Sequence, residues 1–550
     1  MSDDIFVPSN DDIEKAVLLR VDEEEKAKAA DREKPEELTG AFIDARLDEE
    51  ELGDGTLFAE LNRKKFFFSN TEKEWYRWAG HYFELDRNGE SVLYHVEDVV
   101  QAYFGREEEI EQMIRDAARK ELSRQGIKSQ PRQEDIEQMI RDAARTDNKT
   151  SLLVHLALKR EKIKKRIQKL RKRNGRDSCL LFSRSCANPI TITGDETDIN
   201  PWLLGCKNGV LDLRSGDFRD GRYEDMITKA CPTEWKGYDT PCDEFIKWLM
   251  EIFEDNSEIV SFIQRALGYA ITGLNTEHFL LVLTGQGRNG KGTLVEILTY
   301  VLGSIAGAIQ SEMLLANKNS KNTAGPSPDI MGLKGMRLAF ASETDDGQRF
   351  SPSRVKWLTG GDELVGRAPH DKYETRFKPT HTLILLTNHV PHVSPDDFAF
   401  WERIFLIPFN LSFVKRTNLA PNERPAIPGL ADKLKKEACG VLAWLVKGCL
   451  LYQKHGLNPP EKITSTTNEF RRKEDLLADF IDEMCHVSPD ASVRATDIYD
   501  KFKTWYEENI SKKYPISQKR FGEMMGRRFE KRKTSGNFYY DGVGINVFGL

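Results

Sequence analysis

The chain is 550 residues long with a net charge of −7, 39% hydrophobic and 31% charged residues, a length that predicts roughly three or four domains with sizeable cores. It contains no run of about 18 apolar residues, and its start, MSDDIFVPSNDD, has neither a basic nor an apolar leader segment, which argues against membrane insertion and secretion and for the cytoplasm. The eight cysteines include no C-x-x-C pair and no closely spaced Cys/His quartet, which argues against structural zinc and a disulfide framework and makes them reduced packing residues.

Charge is uneven along the chain. Residues 1–55 hold 19 Asp/Glu against 7 Lys/Arg; this acidic, aromatic-poor stretch is expected to be disordered or loosely helical, with order beginning near Leu57. Residues 56–105 read as a small aromatic α+β unit, in which FFFSNTEKEWYRWAGHYFELD puts Trp75 and Trp78 into a packed core. Residues 106–199 are predicted helical. IEQMIRDAAR occurs at 110–119 and again at 136–145, and Ile110, Met113, Ile114, Ala117 and Ala118 follow amphipathic helical spacing. Two copies are too few for a solenoid, so a hairpin of two similar helices is the expectation. Residues 159–176 carry 11 basic residues and one acid, and residues 501–533 carry 11 basic and four acidic residues; such blocks suit a polyphosphate partner.

From 200 to 277, NPWLLGCKNGVLDLRSGDF reads as strand-turn-strand on its N-G and S-G dipeptides, followed by two amphipathic helices. Between 278 and 413, apolar strands at 279–284, 337–341 and 382–387 alternate with helical or loop segments, the pattern of an α/β core with a largely parallel sheet. A helical segment at 414–476 leads to 477–550, where two or three helices and the closing NFYYDGVGINVF hairpin predict a winged helix.

The core carries the chemistry. LVLTGQGRNGKGTLVEIL runs from an apolar strand through a glycine-rich turn into a helix. A loop whose backbone N–H groups point inward at a helix N-terminus binds phosphate. Gly285, Gly287 and Gly290 permit that path around Asn289, and Lys291 supplies the cation for the β- and γ-phosphates of a nucleotide. The Ser or Thr that usually follows the lysine and ligates Mg²⁺ is replaced by Gly292, with Thr293 one position later. Successive helix residues differ by roughly 100° around the axis, so Thr293 does not simply take that place. Phosphate binding is expected to be intact, with Mg²⁺ depending more on carboxylates elsewhere. RLAFASETDD supplies acids at a strand end, and Glu343 is the candidate to orient the attacking water. HTLILLTNHVP ends a buried strand at Asn388, and FWERIFLIPF carries Arg403; an Asn at a strand tip can hold the water or the γ-phosphate, and an Arg from a neighbouring subunit can complete such a site.

Taken in order, GQGRNGKGT, RLAFASET, VKWLTGGDELVGR, LLTNHVP and WERIFLIPF resemble the A, B, B′, sensor and arginine-finger motifs of superfamily 3 helicases. The likeness is greatest to the helicase half of phage- and plasmid-encoded primase-helicases, the group that includes the poxvirus primase-helicase. CKNGVLDLRSGDFRDGRYEDMITKACPTEW and FIQRALGYAITG resemble the lead-in domain of that group, so the likeness covers residues 200–550. It implies a P-loop AAA+-like α/β core with a mixed α+β N-terminal region and a C-terminal winged helix. It also implies ATP and Mg²⁺ as cofactors and a homo-oligomeric ring, commonly a hexamer. Such a ring translocates 3′ to 5′ on single-stranded DNA and opens forks in phage, prophage or plasmid replication, here in a bacterial host cytoplasm.

By the same resemblance, Lys291, Thr293, Glu343 and Asn388 share one face of a subunit interface, and Arg403 reaches in from the next subunit. Ser342 stands where many relatives carry the first of two acids, which leaves Thr293, Glu343 and Asp345 as the metal set. The B′ motif implies a β-hairpin in the channel, with Lys372 near its tip, Arg367 and His370 close by and Lys356 at the motif's start; such cations track phosphates. No primase motif is visible in the first 200 residues, so a separately encoded primase or polymerase is an expected partner. Two other readings stand beside this one. In the first, the chain is an origin-binding initiator whose SQKRFGEMMGRRFEKRK segment is a duplex-reading helix and wing. In the second it is a signalling or defence NTPase that uses the ring as a scaffold, and Lys372 has no task.

Overall fold

The computed structural model describes residues 38–124, 131–145, 151–316, 326–342, 347–369, 373–509 and 516–546. The chain divides into two compact units, Met1–Ile199 with Gly221–Thr228, and Asn200–Asp220 with Lys229–Leu550. Among the described residues, no helix is long and apolar enough to cross a membrane.

In the first unit, strands Phe66–Ser69, Glu74–Trp78, Phe83–Leu85 and Thr191–Ile192 form one four-stranded sheet. Trp75 is buried against Phe58 and Phe68, and Trp78 is half-buried against Phe83 and Tyr223. Both repeat copies are helical. The first lies in helix Val96–Arg124 and the second forms Gln133–Arg145, with Ile110, Ile114, Ala118 and Ile136 in a shared apolar core.

Order begins earlier than the acidic composition suggests. Helices Gly40–Asp48 and Glu51–Asn62 precede the first strand, and Ile43, Leu47, Leu57 and Phe58 are buried. Their acids explain this, because they face the basic helix Leu152–Leu170. Lys159 and Arg106 reach Asp44 at 2.8 and 2.7 Å, Lys162 reaches Asp48 at 2.8 Å, and Lys169 and Arg166 pair with Glu51 and Asp54. The expectation that residues 159–176 are a polyphosphate-binding block is therefore corrected in part: several of these cations already have carboxylate partners about 110 residues away in the chain.

Asp54 and Arg166 are both buried, and the Tyr103 hydroxyl donates to Asp54 at 2.9 Å. Burial pushes the Asp54 carboxyl up, against the lowering pull of Arg166 and the Tyr103 hydroxyl. Removing one member of such a pair strands the other in a dry site. Arg166→Ala is expected to cost about 3 kcal/mol of stability, measured by denaturant unfolding, and Arg166→Met combined with Asp54→Leu should recover most of it.

The second unit is built on a five-stranded parallel sheet: β1 (Leu280–Thr284), β2 (Ala306–Ile309), β3 (Leu338–Ser342), β4 (Thr382–Thr387) and β5 (Ile404–Pro408), in the order β5-β1-β4-β3-β2. Alternate side chains serve opposite faces. Leu281, Leu283, Phe340, Ile384 and Ile407 pack with helices Asp243–Ile252, Ser257–Ala270, Lys291–Leu302 and Ala438–His455. Leu280, Val282, Ala339, Leu383 and Leu406 pack with Val355, Leu358 and Phe400 on the other side. Both faces are thus dry, which is why these strands read as continuous apolar runs. The antiparallel strands Leu203–Cys206 and Gly209–Asp212 contribute Leu204, Cys206 and Leu211 to the same core, so the boundaries drawn at 277 and 413 from sequence are not breaks in packing.

The last part of this unit runs helix Leu476–Met484, strand Cys485–Arg494, helices Ala495–Asn509 and Gln518–Gly526, and strands Glu530–Thr534 and Asn537–Ile545. Its antiparallel sheet places Asn537–Ile545 between the other two strands. Leu477, Phe480, Phe502, Trp505, Phe521 and Tyr540 form a separate core. The ten-residue strand Cys485–Arg494 was not legible as one, because only Cys485 and Val493 are buried along it.

Candidate nucleotide site

In an open parallel sheet, ligands bind beyond the carboxyl ends of the strands, where the chain order reverses. The chain leaves β1 for the far edge, steps back through β3 and β4, and crosses β1 to reach β5. The glycine-rich loop follows β1 at that edge. Gly287, Arg288 and Gly290 have φ of 96°, 52° and 89°, and Gly290 leads directly into helix Lys291–Leu302. Gly285 is required by a close approach: a Cβ there would lie 2.4 Å from the carbonyl oxygen of Phe409. The loop is fastened to the chain after β5. Phe409 N donates to Thr284 O at 2.8 Å, Phe413 N donates to Arg288 O at 2.7 Å, and the buried Asn289 amide points at Phe409 O.

Lys291 is 6% exposed. Its Nζ donates to Gly285 O at 2.5 Å, Thr387 O at 3.1 Å and Asn388 Oδ1 at 3.0 Å. All three acceptors are neutral, and no ion pair to Lys291 occurs among the described residues. Burial pulls its pKa down to about 8. A desolvated cation without a counter-ion is costly unless an anion arrives, and the adjoining helix N-terminus favours an anion at the same place. The site brings Lys291 and Asn388 together from β1 and β4. Thr293 is half-buried and Gly292 exposed on the first helical turn.

The acids Glu343 and Asp345 lie outside the described residues. Ser342, the last residue of β3, pairs in register with Leu386 beside Thr387, so β3 ends at the same sheet edge as the loop. Arg403 is at the opposite edge. It immediately precedes β5, its carbonyl accepts from Leu280 N at 2.7 Å, and its Nη1 donates to Ala399 O. About 13 Å of strand separates it from the loop of its own chain.

Strands Leu364–Gly366 and Thr375–Phe377 form an antiparallel hairpin at the B′ motif. Arg367 begins its loop, bonded through its backbone to Ser327, while His370 and Lys372 lie outside the described residues. Lys356 lies on helix Pro352–Thr359, and its Nζ is held by Asp397 at 3.2 Å. Two exposed hairpin residues escaped the sequence reading: Tyr373, 83% exposed, and Arg376. Strand alternation around Phe377 could have found Arg376, because its neighbour is buried. Also missed was the segment after Asn388, where Asp396 receives Arg527 at 3.2 Å and Glu474 receives His392 at 3.0 Å.

Comparison with known proteins adds a second line. Residues 55–254 match the family model described as D5 N terminal like. The match starts upstream of residue 200, where the likeness read from the motifs begins. The chain is 31% identical over 331 residues to a protein named putative helicase L207/L206 of Acanthamoeba polyphaga mimivirus, covering 58% of this chain and 34% of that protein. It is 23% identical over 387 residues to putative helicase 022R of Frog virus 3, covering 58% and 40%. It is 24% identical over 367 residues to putative primase C962R of African swine fever virus, covering 61% and 36%. These matches support a primase-helicase family. The chain spans about a third of the length of these curated relatives. Among solved structures, the apo C terminal region (305-718) of NrS-1 aligns with a TM-score of 0.39 and 14% identity, covering 66% of this chain and 86% of that one.

Proposed function

We propose that this chain is the ATP-driven motor of a DNA helicase of superfamily 3, a ring with nucleotide bound between subunits that moves 3′ to 5′ on single-stranded DNA during genome replication. The observation that carries this reading is Lys291: a buried ammonium facing only neutral oxygens, at the start of a helix, behind a loop with left-handed backbone at Gly287, Arg288 and Gly290. That donor set fits a nucleotide phosphate. The strand order, with the loop after β1 and Asn388 after the adjacent β4, supports the AAA+-like reading of the core. The order of helices and hairpin at the end of the chain supports the winged-helix reading.

In this account ATP, with Mg²⁺, supplies the phosphoryl bond whose hydrolysis drives movement. The loop amides from Gly287 to Gly290 and Lys291 would hold the phosphates, Glu343 would orient the attacking water, and Asn388 would hold the water or the γ-phosphate. Glu343 and Asp345, with Thr293 from one position beyond the usual hydroxyl, would hold the metal. Lys372, with Arg367 and His370, contacts the DNA backbone at the hairpin, and Lys356 holds Asp397 behind it. A hexamer, a separately encoded primase or polymerase, and a viral, phage or plasmid genome complete the proposal. ATP hydrolysis with and without single-stranded DNA is its direct test.

Gly292 makes a sharper prediction. A Cβ at this position meets nothing within 4 Å, so serine fits and restores a hydroxyl at the usual metal-binding position. Gly292→Ser is expected to lower several-fold the Mg²⁺ concentration that gives half-maximal hydrolysis; an unchanged Mg²⁺ titration would refute a metal held short of one ligand.

A further inference from the structure

All eight cysteines are free thiols, and two of them touch. The Sγ atoms of Cys206 and Cys231 lie 3.5 Å apart, and both residues are buried in the core of the second unit. Among the described residues, no other thiol has a thiol as its hydrogen-bond partner.

The backbone sets this contact. Gly205, in strand Leu203–Cys206, makes a parallel bridge with Ala230, and Cys231 N donates to Gly205 O at 2.9 Å. Cys206 and Cys231 each follow one residue of that bridge, so they are neighbours across it with side chains on the same face. Neighbouring strands lie about 4.7–4.9 Å apart, inside the Cα separation of about 4.4–6.8 Å that a disulfide spans. The sulfurs reach a bonding distance of about 2.05 Å by side-chain rotation, on a backbone that already has the spacing.

We propose that Cys206 and Cys231 are a dithiol that a peroxide converts to a disulfide, a covalent clip in the core of the second unit. One sulfur attacks the peroxide as a thiolate, the O–O bond breaks, and a sulfenic acid and a water are formed. The second sulfur then attacks the first and displaces its hydroxyl as a second water. The two sulfurs supply the two electrons, and their two protons end in the two waters. In the native protein this chemistry is held back. The hydrogen bond with Cys231, and then burial, push the Cys206 thiol well up, while the Arg337 guanidinium pulls it the other way. Thiolate is the attacking form, so oxidation proceeds when the bridge opens or before folding buries it. The bond would close residues 207–230 into a loop. Of these, 221–228 belong to the first unit, so the clip would join the two stretches of the second unit that flank this excursion. Nothing in this inference depends on the nucleotide site.

The test treats the full chain with hydrogen peroxide twice, once folded and once while refolding from denaturant, then alkylates it unfolded and maps its peptides without reductant. Trypsin separates the two cysteines at Lys207 and Lys229. The expected product is a linked Cys206–Cys231 peptide pair, lighter by two hydrogen atoms than the reduced peptides together, released by reductant and absent from C206A and C231A. It should form faster during refolding than in the folded chain. It should also raise the midpoint of thermal unfolding by about 5 °C, a shift that peroxide does not produce in C206A. Recovery of Cys206 and Cys231 as free thiols from both samples, with the half-buried Cys439 oxidised, would overturn the proposal, as would a link that fails to raise the midpoint.

Discussion

Lys291→Ala is expected to lower ATP hydrolysis on the order of a thousandfold while leaving the fold intact. Its ammonium bridges β1, the loop and the end of β4 through neutral oxygens only, so no structural ion pair is lost with it. A pH dependence should accompany this result. With its pKa at about 8 in the nucleotide-free protein, Lys291 is charged below that pH and neutral above it. Nucleotide affinity should therefore be level below pH 8 and weaken above it, a trend absent from Lys291→Ala. The stability linkage has a fixed sign. The folded pKa lies below the ordinary value of 10.5, so between about pH 8 and 10.5 the unfolded chain binds the extra proton and wild-type stability rises with pH. Lys291→Met lacks that rise, and its Tm relative to wild type should fall across the same window. A parallel pH profile for the two proteins would contradict the burial of a free ammonium.

Arg403→Ala is expected to be as inactive as Lys291→Ala, yet a mixture of the two should work. Arg403 sits at the amino end of β5, and the loop lies beyond the carboxyl end of the neighbouring β1. An arginine side chain cannot span about 13 Å to its own loop. If it acts on nucleotide, it acts on that of another subunit, as arginine fingers do. In a ring of head-to-tail contacts, random mixing joins an intact Lys291 to an intact Arg403 at about a quarter of the interfaces. Recovery of hydrolysis on mixing, read by steady-state turnover, supports the shared site. Full activity of Arg403→Ala alone would remove Arg403 from it.

Much of the candidate nucleotide site was legible because its signals are local. The glycine spacing, the lysine and the apolar run before them lie within a dozen residues, and β4 announces itself by continuous Thr, Leu and Ile up to Asn388. β2 was not foreseen, since Ala306–Ile309 contains glycine and only four residues. The acidic helix Gly40–Asp48 was read as disordered or loosely helical because its carboxylates look uncompensated until Arg106, Lys159 and Lys162 are brought to them. Pairing across such distances leaves no local pattern. The same holds for Asp396 and Arg527, 131 residues apart, which fasten the C-terminal elements to the segment after Asn388. The basic blocks at 159–176 and 501–533 had similar composition and different fates, one largely paired within its unit and the other only in part.

ATP hydrolysis by this chain is expected to be coupled to single-stranded DNA. Steady-state hydrolysis with and without single-stranded DNA, for wild type, Lys291→Ala and Lys372→Ala, tests it most directly. Strong stimulation by DNA in wild type, lost in both variants, is the expected result. Hydrolysis that requires Lys291 but ignores both DNA and Lys372 would contradict it.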